Sequence, residues 1–152
     1  MDRKIKVLFI FIIIVLMALG LYGYFQANNT FNQNQISDNS TISENGQYNS
    51  RDDVALYIEK FHKLPSNYIT KSDARKLGWK GGSVEEYAPG KSIGGDRFTN
   101  RQEVLPSGEN YIECDIDTNG TDSRGSKRIV YSTTDYDIYY TSNHYKTFTK
   151  LN

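Results

Sequence analysis

The apolar residues change period once along this chain, recurring every third or fourth residue before Ile93 and every second residue after it. That switch limits the fold more than any other feature, because a period near 3.6 belongs to helices and a period of 2 to strands. On the helical side, Ser50 is an N-cap residue type, and Asp52 and Asp53 fall in a first turn where carboxylates favour the helix dipole. Val54, Tyr57, Ile58 and Phe61 then form one apolar face, His62 and Lys63 place cations at the C-terminal end, and Pro65 stops the helix. Thr70, with Asp73 three residues on, predicts a second N-cap, and Gly78 after Leu77 a second stop. A third short helix is expected over 84–87, closed by Pro89 and Gly90. Strands are predicted near 97–101, 111–116, 128–133, 136–142 and 145–151, separated by Gly, Asn and Ser turns. Helices first and strands second give an α+β domain, with N-terminal helices packed on one face of a C-terminal antiparallel β-sheet of about five strands.

Upstream of this pattern, Arg3, Lys4 and Lys6 precede an unbroken apolar run from Val7 to Leu21. A cationic start and an apolar stretch are the marks of export, and Ala18 and Gly20 offer a small-x-small cleavage site. The run also approaches the length that spans a bilayer, so a cleaved signal peptide and an uncleaved signal anchor both fit residues 1–27. Residues 28–47 turn to Asn, Gln, Ser and Thr and are expected to form a polar linker or pro-segment, which leaves 48–152 as the folded domain. The domain lies outside the cell in either case, free or anchored. Cys114 is the only cysteine, so no disulfide can form within the chain. Residues 1–27 hold three cations and one anion of the chain's 18 and 18, leaving 15 basic and 17 acidic residues beyond them. A net negative domain excludes the broad basic field of a nonspecific polyanion binder. Any contact with nucleic acid must come from a local cluster of cations.

Within the strand at 111–116, alternation sets Tyr111, Glu113 and Asp115 on one face and Ile112, Cys114 and Ile116 on the other. The second face is core, which makes Cys114 a buried small hydrophobe. Glu113 is left on the open face, either as a solvated carboxylate or as a working one. His144 follows Thr141, Ser142 and Asn143 in an expected turn at a sheet end. Its titration range suits acid–base work and equally suits an ordinary surface position. Arg124, Lys127 and Arg128 form the densest basic cluster beyond residue 27, available to bind phosphate or to pair with Asp115 and Asp117. A glutamate, a histidine and a cationic cluster are the parts that cleavage of a phosphodiester requires.

Six ordered strings, HKLP at 62–65, NYITKS at 67–72, LGW at 77–79, APGKSIGGD at 88–96, RIVYS at 128–132 and HYKTFTK at 144–150, resemble the barnase/binase-type secreted bacterial ribonucleases. The resemblance covers about residues 48–152. It implies the microbial ribonuclease fold and a guanyl-preferring endoribonuclease that needs neither metal nor cofactor. By that similarity Glu113 matches the general base, His144 the general acid, and Lys71, Arg124 and Arg128 the cations around the reacting phosphate. Phe98, Thr99, Asn100 and Arg101 match the loop that holds the base, and Tyr145 matches a tyrosine of the same site. The implied partners are an RNA substrate and a barstar-like inhibitor protein, with the enzyme itself a monomer. A membrane is a partner only where the N-terminal segment stays uncleaved.

The chain departs from the pattern where the family carries a base-reading glutamate, because that position is Gln102. Gln102 and Glu103 are both expected at the base, Glu103 as the substitute carboxylate if the loop shifts by one residue, and Val104 replaces a lysine. A glutamine offers one acceptor oxygen where a glutamate offers two. The stretch between Trp79 and Val84 is short and that between Asp117 and Arg124 has an extra residue, both in expected loops. The competing reading is a catalytically weak RNA-binding or surface-tethered module on the same scaffold, favoured by the negative charge and Gln102 and opposed by the presence of both Glu113 and His144. A purely structural surface domain leaves that polar constellation unexplained.

Overall fold

The computed structural model describes residues 15–17, 19–22 and 42–152, and divides the chain into two compact units, Met1–Thr41 and Ile42–Asn152. In the first unit residues 15–17 and 19–22 are helical. Among the described residues no helix is long and apolar enough to cross a membrane. Most of the expected signal or anchor (1–27) and most of the expected linker (28–47) lie outside the described residues.

The second unit begins on an arm that lies against the first helix, α1 (Arg51–Phe61). Ile42 is buried and its carbonyl accepts from Lys60 Nζ at 2.8 Å, while the Glu44 carbonyl accepts from the Tyr57 hydroxyl at 2.7 Å. Residues 42–47, inside the stretch expected to be linker, are therefore packed on the domain. Ser50 caps α1 by accepting from the Asp53 N–H, and His62 ends it in the left-handed conformation at φ 56°. Helix α2 (Lys71–Lys76) is capped in the same way, Thr70 accepting from the Asp73 N–H. The third expected helix is instead a single turn, in which the N–H groups of Tyr87 and Ala88 both donate to the Val84 carbonyl. Four residues ended by Pro89 are too few to propagate a helix.

Six strands form one sheet in sequence order: β1 (Tyr68–Ile69), β2 (Ser92–Phe98), β3 (Tyr111–Asp115), β4 (Arg128–Ser132), β5 (Ile138–Thr141) and β6 (Thr149–Lys150). All neighbours are antiparallel except β1, which runs parallel to β2. The α+β architecture stands, with a sixth strand that two residues could not announce by period. The first long strand also starts five residues before position 97 and ends at Phe98, because Gly94 and Gly95 mark a β-bulge here and not a turn. Gly94 is fixed by space: a Cβ there would lie 2.6 Å from both Cys114 Cβ and the Tyr68 ring. Residues 145–148 are loop, so only Thr149–Lys150 of the last expected strand pairs.

Register decides which side chains meet. Val54 and Ile58 of α1 pack on Cys114, Ile116, Ile129, Tyr131 and Ile138, which fill one face of the sheet. A second cluster, Ala74, Trp79, Val84 and Ile93, seats α2 at the β1–β2 edge. The face turned away from α1 is left for the residues of opposite parity. Asp96 pairs with Glu113 and Glu113 with Val130, while Asp115 pairs with Arg128 and Arg128 with Thr141.

Candidate active site

Glu113 stands at the middle of that second face, 8% exposed although charged. Burial of a carboxylate is tolerable only with partners, and it has two: Lys71 Nζ donates to Oε1, and the Tyr145 hydroxyl donates to Oε2 at 2.7 Å. Lys71 is the first residue of α2, and its own N–H donates to the Asp96 carboxylate at 2.9 Å. The strand next to Glu113 therefore fixes the helix that delivers its cation. Burial first, and the neighbouring Glu113 carboxylate second, push the Tyr145 hydroxyl well above the ordinary tyrosine range, so it remains a donor.

One residue pair further along the sheet, Asp115 accepts from Arg124 through Nε at 2.7 Å and Nη2 at 2.8 Å. Arg128 Nε lies 2.8 Å from Oδ1, the oxygen that also accepts from Arg124 Nη2, and Arg128 Nη1 donates to the carbonyls of Arg124 and Lys127. Arg128 is sealed in, whereas Arg124 keeps a partly exposed guanidinium 5.8 Å from the centre of the Trp79 ring. Burial works against the Arg124 charge, but the Asp115 hydrogen bonds outweigh it and raise the guanidinium above its ordinary value. Of the two alternatives left open by the basic cluster, the structure shows the pairing. Arg124 and Arg128 pair with Asp115, Lys127 pairs with Asp117, and only Arg124 of the two arginines still presents surface.

His144 is exposed, in a turn where it and Tyr145 both take positive φ, 56° and 68°. The His144 N–H donates to the Ser126 carbonyl at 3.0 Å, and the Tyr145 N–H to Thr141 Oγ1 at 3.1 Å, which ties the turn to the ends of β4 and β5. Left-handed backbone at two successive non-glycine residues is costly and found where side chains must be aimed. Its effect here is to set the imidazole 4.8 Å from the Tyr145 ring, one residue from the hydroxyl that reaches Glu113.

Beside the imidazole, Phe98, Thr99, Asn100, Arg101, Gln102 and Val104 wall a cavity of about 340 Å³ that His144 and Tyr145 close from the other side. A larger hollow of about 490 Å³ between the loops at 81–87 and 120–122 is lined by Glu85, Glu86 and Asp122 and contains neither His144 nor Glu113. Of the residues singled out in the sequence, Lys71, Glu113, Tyr145, Arg124 and Arg128 come together on one sheet face, and 98–102 meet His144 at the cavity. Glu103 does not line the cavity. Asp96, which holds the start of α2, closes the resembling string at 88–96 without a role of its own there. Asp115, which holds both arginines, shares the parity of Glu113 and is one of the two carboxylates that the sequence offered to the basic cluster. Among the described residues no group of three His, Cys, Asp or Glu side chains could hold a metal ion.

Comparison with known proteins gives one consistent answer. A family described as ribonuclease matches residues 51–152. Ribonucleases of Bacillus intermedius and Bacillus pumilus are each 49% identical over 107 residues, covering 68% of this chain and 65% of theirs. The chain thus spans a little under two thirds of the length of those relatives. A ribonuclease of Heyndrickxia coagulans is 48% identical over 107 residues, 68% of this chain and 96% of that protein.

Proposed function

The chain belongs to the ribonuclease family, and on that premise we propose that it is an exported endoribonuclease that cuts single-stranded RNA after guanosine through a 2′,3′-cyclic phosphate. The observation that carries the reading is the buried Glu113 carboxylate, bound by Lys71 and Tyr145 beside the arginines on Asp115, with exposed His144 adjoining. Glu113 takes the proton of the ribose 2′-hydroxyl, the 2′-oxygen attacks the adjacent phosphorus, and the bond from phosphorus to the 5′-oxygen breaks. His144 gives that oxygen its proton. Water then opens the cyclic phosphate with the roles reversed, leaving a 3′-phosphate and both side chains as they began. Arg124, Arg128 and Lys71 supply positive charge where the phosphoryl oxygens gain negative charge. DNA, which lacks the 2′-hydroxyl, is not cut. The base rests in the cavity at Phe98, Thr99, Asn100, Arg101, Gln102 and Tyr145.

Base and acid must be ionised oppositely to their products, so kcat/KM follows a bell-shaped pH profile. Wild-type protein incubated with RNA is expected to yield cyclic-phosphate ends, and Glu113→Ala and His144→Ala each to lower turnover by about 10²- to 10⁴-fold. RNA bound but left intact by wild type would move the reading to a binding module on this scaffold. An acidic, barstar-like inhibitor fits the same cationic face, and export follows from the cationic start and apolar run at residues 3–21.

A further inference from the structure

Arg124 sits on the loop between β3 and β4, residues 116–127, and the first half of that loop is fastened to a residue far away in sequence. The Asn49 carbonyl accepts the Asp117 N–H at 3.0 Å, and the Asn49 carboxamide oxygen accepts the Asn119 N–H at 3.1 Å. Its Nδ2 donates to Ser92 Oγ at 2.7 Å, the same hydroxyl that Thr118 Oγ1 meets at 3.1 Å. Residues 117, 118 and 119 are thus gathered on Asn49 and its serine. Asp117 takes left-handed backbone at φ 57°, a conformation that persists only where neighbours enforce it. Asn49 is itself fixed on both sides. Before it, buried Asn67 clasps the Tyr48 N–H and carbonyl at 3.2 and 2.9 Å, and after it Ser50 caps α1. Further along the loop, Thr121 Oγ1 lies 2.9 Å from the Thr118 carbonyl and 2.7 Å from the carbonyl of Ser123, the residue before Arg124. A continuous set of hydrogen bonds therefore runs from Asn49 to the backbone that delivers Arg124.

We propose that Asn49 is a positioning residue of the ribonuclease site, setting the β3–β4 loop so that Arg124 presents its guanidinium to the reacting phosphate. Asn49 makes no contact with RNA in this reading. The proposal rests on the ribonuclease reading above and deepens it. Arg124 holds Asp115 through Nε and Nη2 at 2.7 and 2.8 Å, which leaves Nη1 without a hydrogen-bond partner among the described residues and free to donate to phosphate. A donor of this kind stabilises developing negative charge only when it is aimed in advance, and a displacement of about 1 Å is enough to lose much of the effect. The grip on Asp115 fixes the end of the side chain, and the loop must bring the backbone to match. A loop released at 117–119 lets the backbone of residue 124 shift while the ion pair persists. The Arg124 carbonyl also accepts from Arg128 Nη1 at 3.1 Å, so a shifted loop disturbs both arginines.

The test is a double-variant cycle on the full chain. Values of kcat and KM for an RNA oligonucleotide are measured for wild type, Asn49→Ala, Arg124→Ala and the two combined, at a temperature where urea unfolding shows all four to be folded. Asn49→Ala is expected to lower kcat by about tenfold with KM little changed, and Arg124→Ala to lower it by about 10²- to 10³-fold. In the combined variant, loss of Asn49 is expected to cost no more than about twofold beyond Arg124→Ala alone, because a residue that acts through another has nothing left to act on. Asn49→Asp keeps an acceptor for the Asn119 N–H and accepts from the Ser92 hydroxyl, and is expected to return kcat to within about threefold of wild type. Ser92→Ala removes the hydroxyl shared by Asn49 and Thr118, carries the test where Asn49→Ala fails to fold, and is expected to show a smaller loss with the same dependence on Arg124. For either probe, an unchanged kcat, a loss confined to KM, or a kcat loss carried in full into the Arg124→Ala background overturns the proposal while the ribonuclease reading stands. RNA left intact by wild type overturns that reading and the proposal with it.

Discussion

The side chains of Arg128 and Arg124 are 2% and 22% exposed, and both reach a single carboxylate, that of Asp115, itself 1% exposed. Two cations and one anion in so dry a place are held by geometry, because each charge taken from water must find its partner inside. Removing Asp115 strands Arg128, which is left with two backbone carbonyls and the Tyr145 ring and no anion to balance its charge. Asp115→Ala is therefore expected to destabilise the protein by about 3–5 kcal/mol, read from urea denaturation, and to lower turnover because Arg124 loses its anchor. A loss below about 1 kcal/mol would mean that water replaces the carboxylate and that the pair is no more than a surface bridge. The ion pairs Lys63–Glu44 and Lys76–Asp73, with every partner more than half exposed, are of that weaker kind. At this scale the sequence made Glu113 and His144 visible, the first by strand parity and both by resemblance. It offered Asp115 to the basic cluster only as one alternative, beside Asp117 and beside phosphate, because the register of β4 decides which carboxylate meets which cation.

Helix α1 was legible from end to end, since its signals are local: a serine whose oxygen meets the Asp53 N–H, carboxylates in the first turn, and an apolar stripe on Val54, Tyr57 and Ile58. Losing an N-cap typically costs about 1 kcal/mol, a magnitude known from this fold among others, so Ser50→Ala is expected to lower stability by that amount in thermal or urea unfolding. An unchanged midpoint would mean that solvent satisfies the end of the helix as well as Ser50 does. The start of β2 was not legible, and the reason is physical. Gly94 and Gly95 imitate a turn, yet Gly94 is there because Cys114 and Tyr68 approach its Cα too closely for a side chain, and Gly95, at φ 97°, because the bulge needs a left-handed residue. Gly94→Ala is expected to cost about 1–3 kcal/mol as an overpacked site, and a neutral result in the same unfolding assay would show that β2 shifts to make room. The two-residue β1 and β6 could not be found by period at all, because pairing with β2 and β5 makes them strands.

Beyond residue 27 the chain carries 15 cations against 17 anions, so the molecule as a whole does not draw RNA towards it and the cationic face must act at short range. That face is itself largely compensated: Lys71 is engaged by Glu113, and Arg124 and Arg128 by Asp115. Of the cations away from it, Lys63, Lys76, Lys127 and Lys150 are also paired, with Glu44, Asp73, Asp117 and Asp137. Counterions released when RNA binds come from phosphates that protein charge neutralises, and for single strands each such phosphate contributes about −0.7 to the slope of log affinity against log salt. With Lys71 and Arg124 as the partly exposed cations of that face, the slope is expected to be about −1.4. Binding of a fluorescent RNA oligonucleotide to the His144→Ala protein, titrated across salt concentrations, measures it. A slope of about −4 or steeper would require a second run of cations along the RNA path. A slope near zero would mean that the base cavity at Phe98 and Tyr145 holds the substrate with little help from phosphate. The acidic hollow at Glu85, Glu86 and Asp122 keeps the expected slope small, since anions there repel an extended polynucleotide and confine attraction to the few phosphates nearest the cationic face.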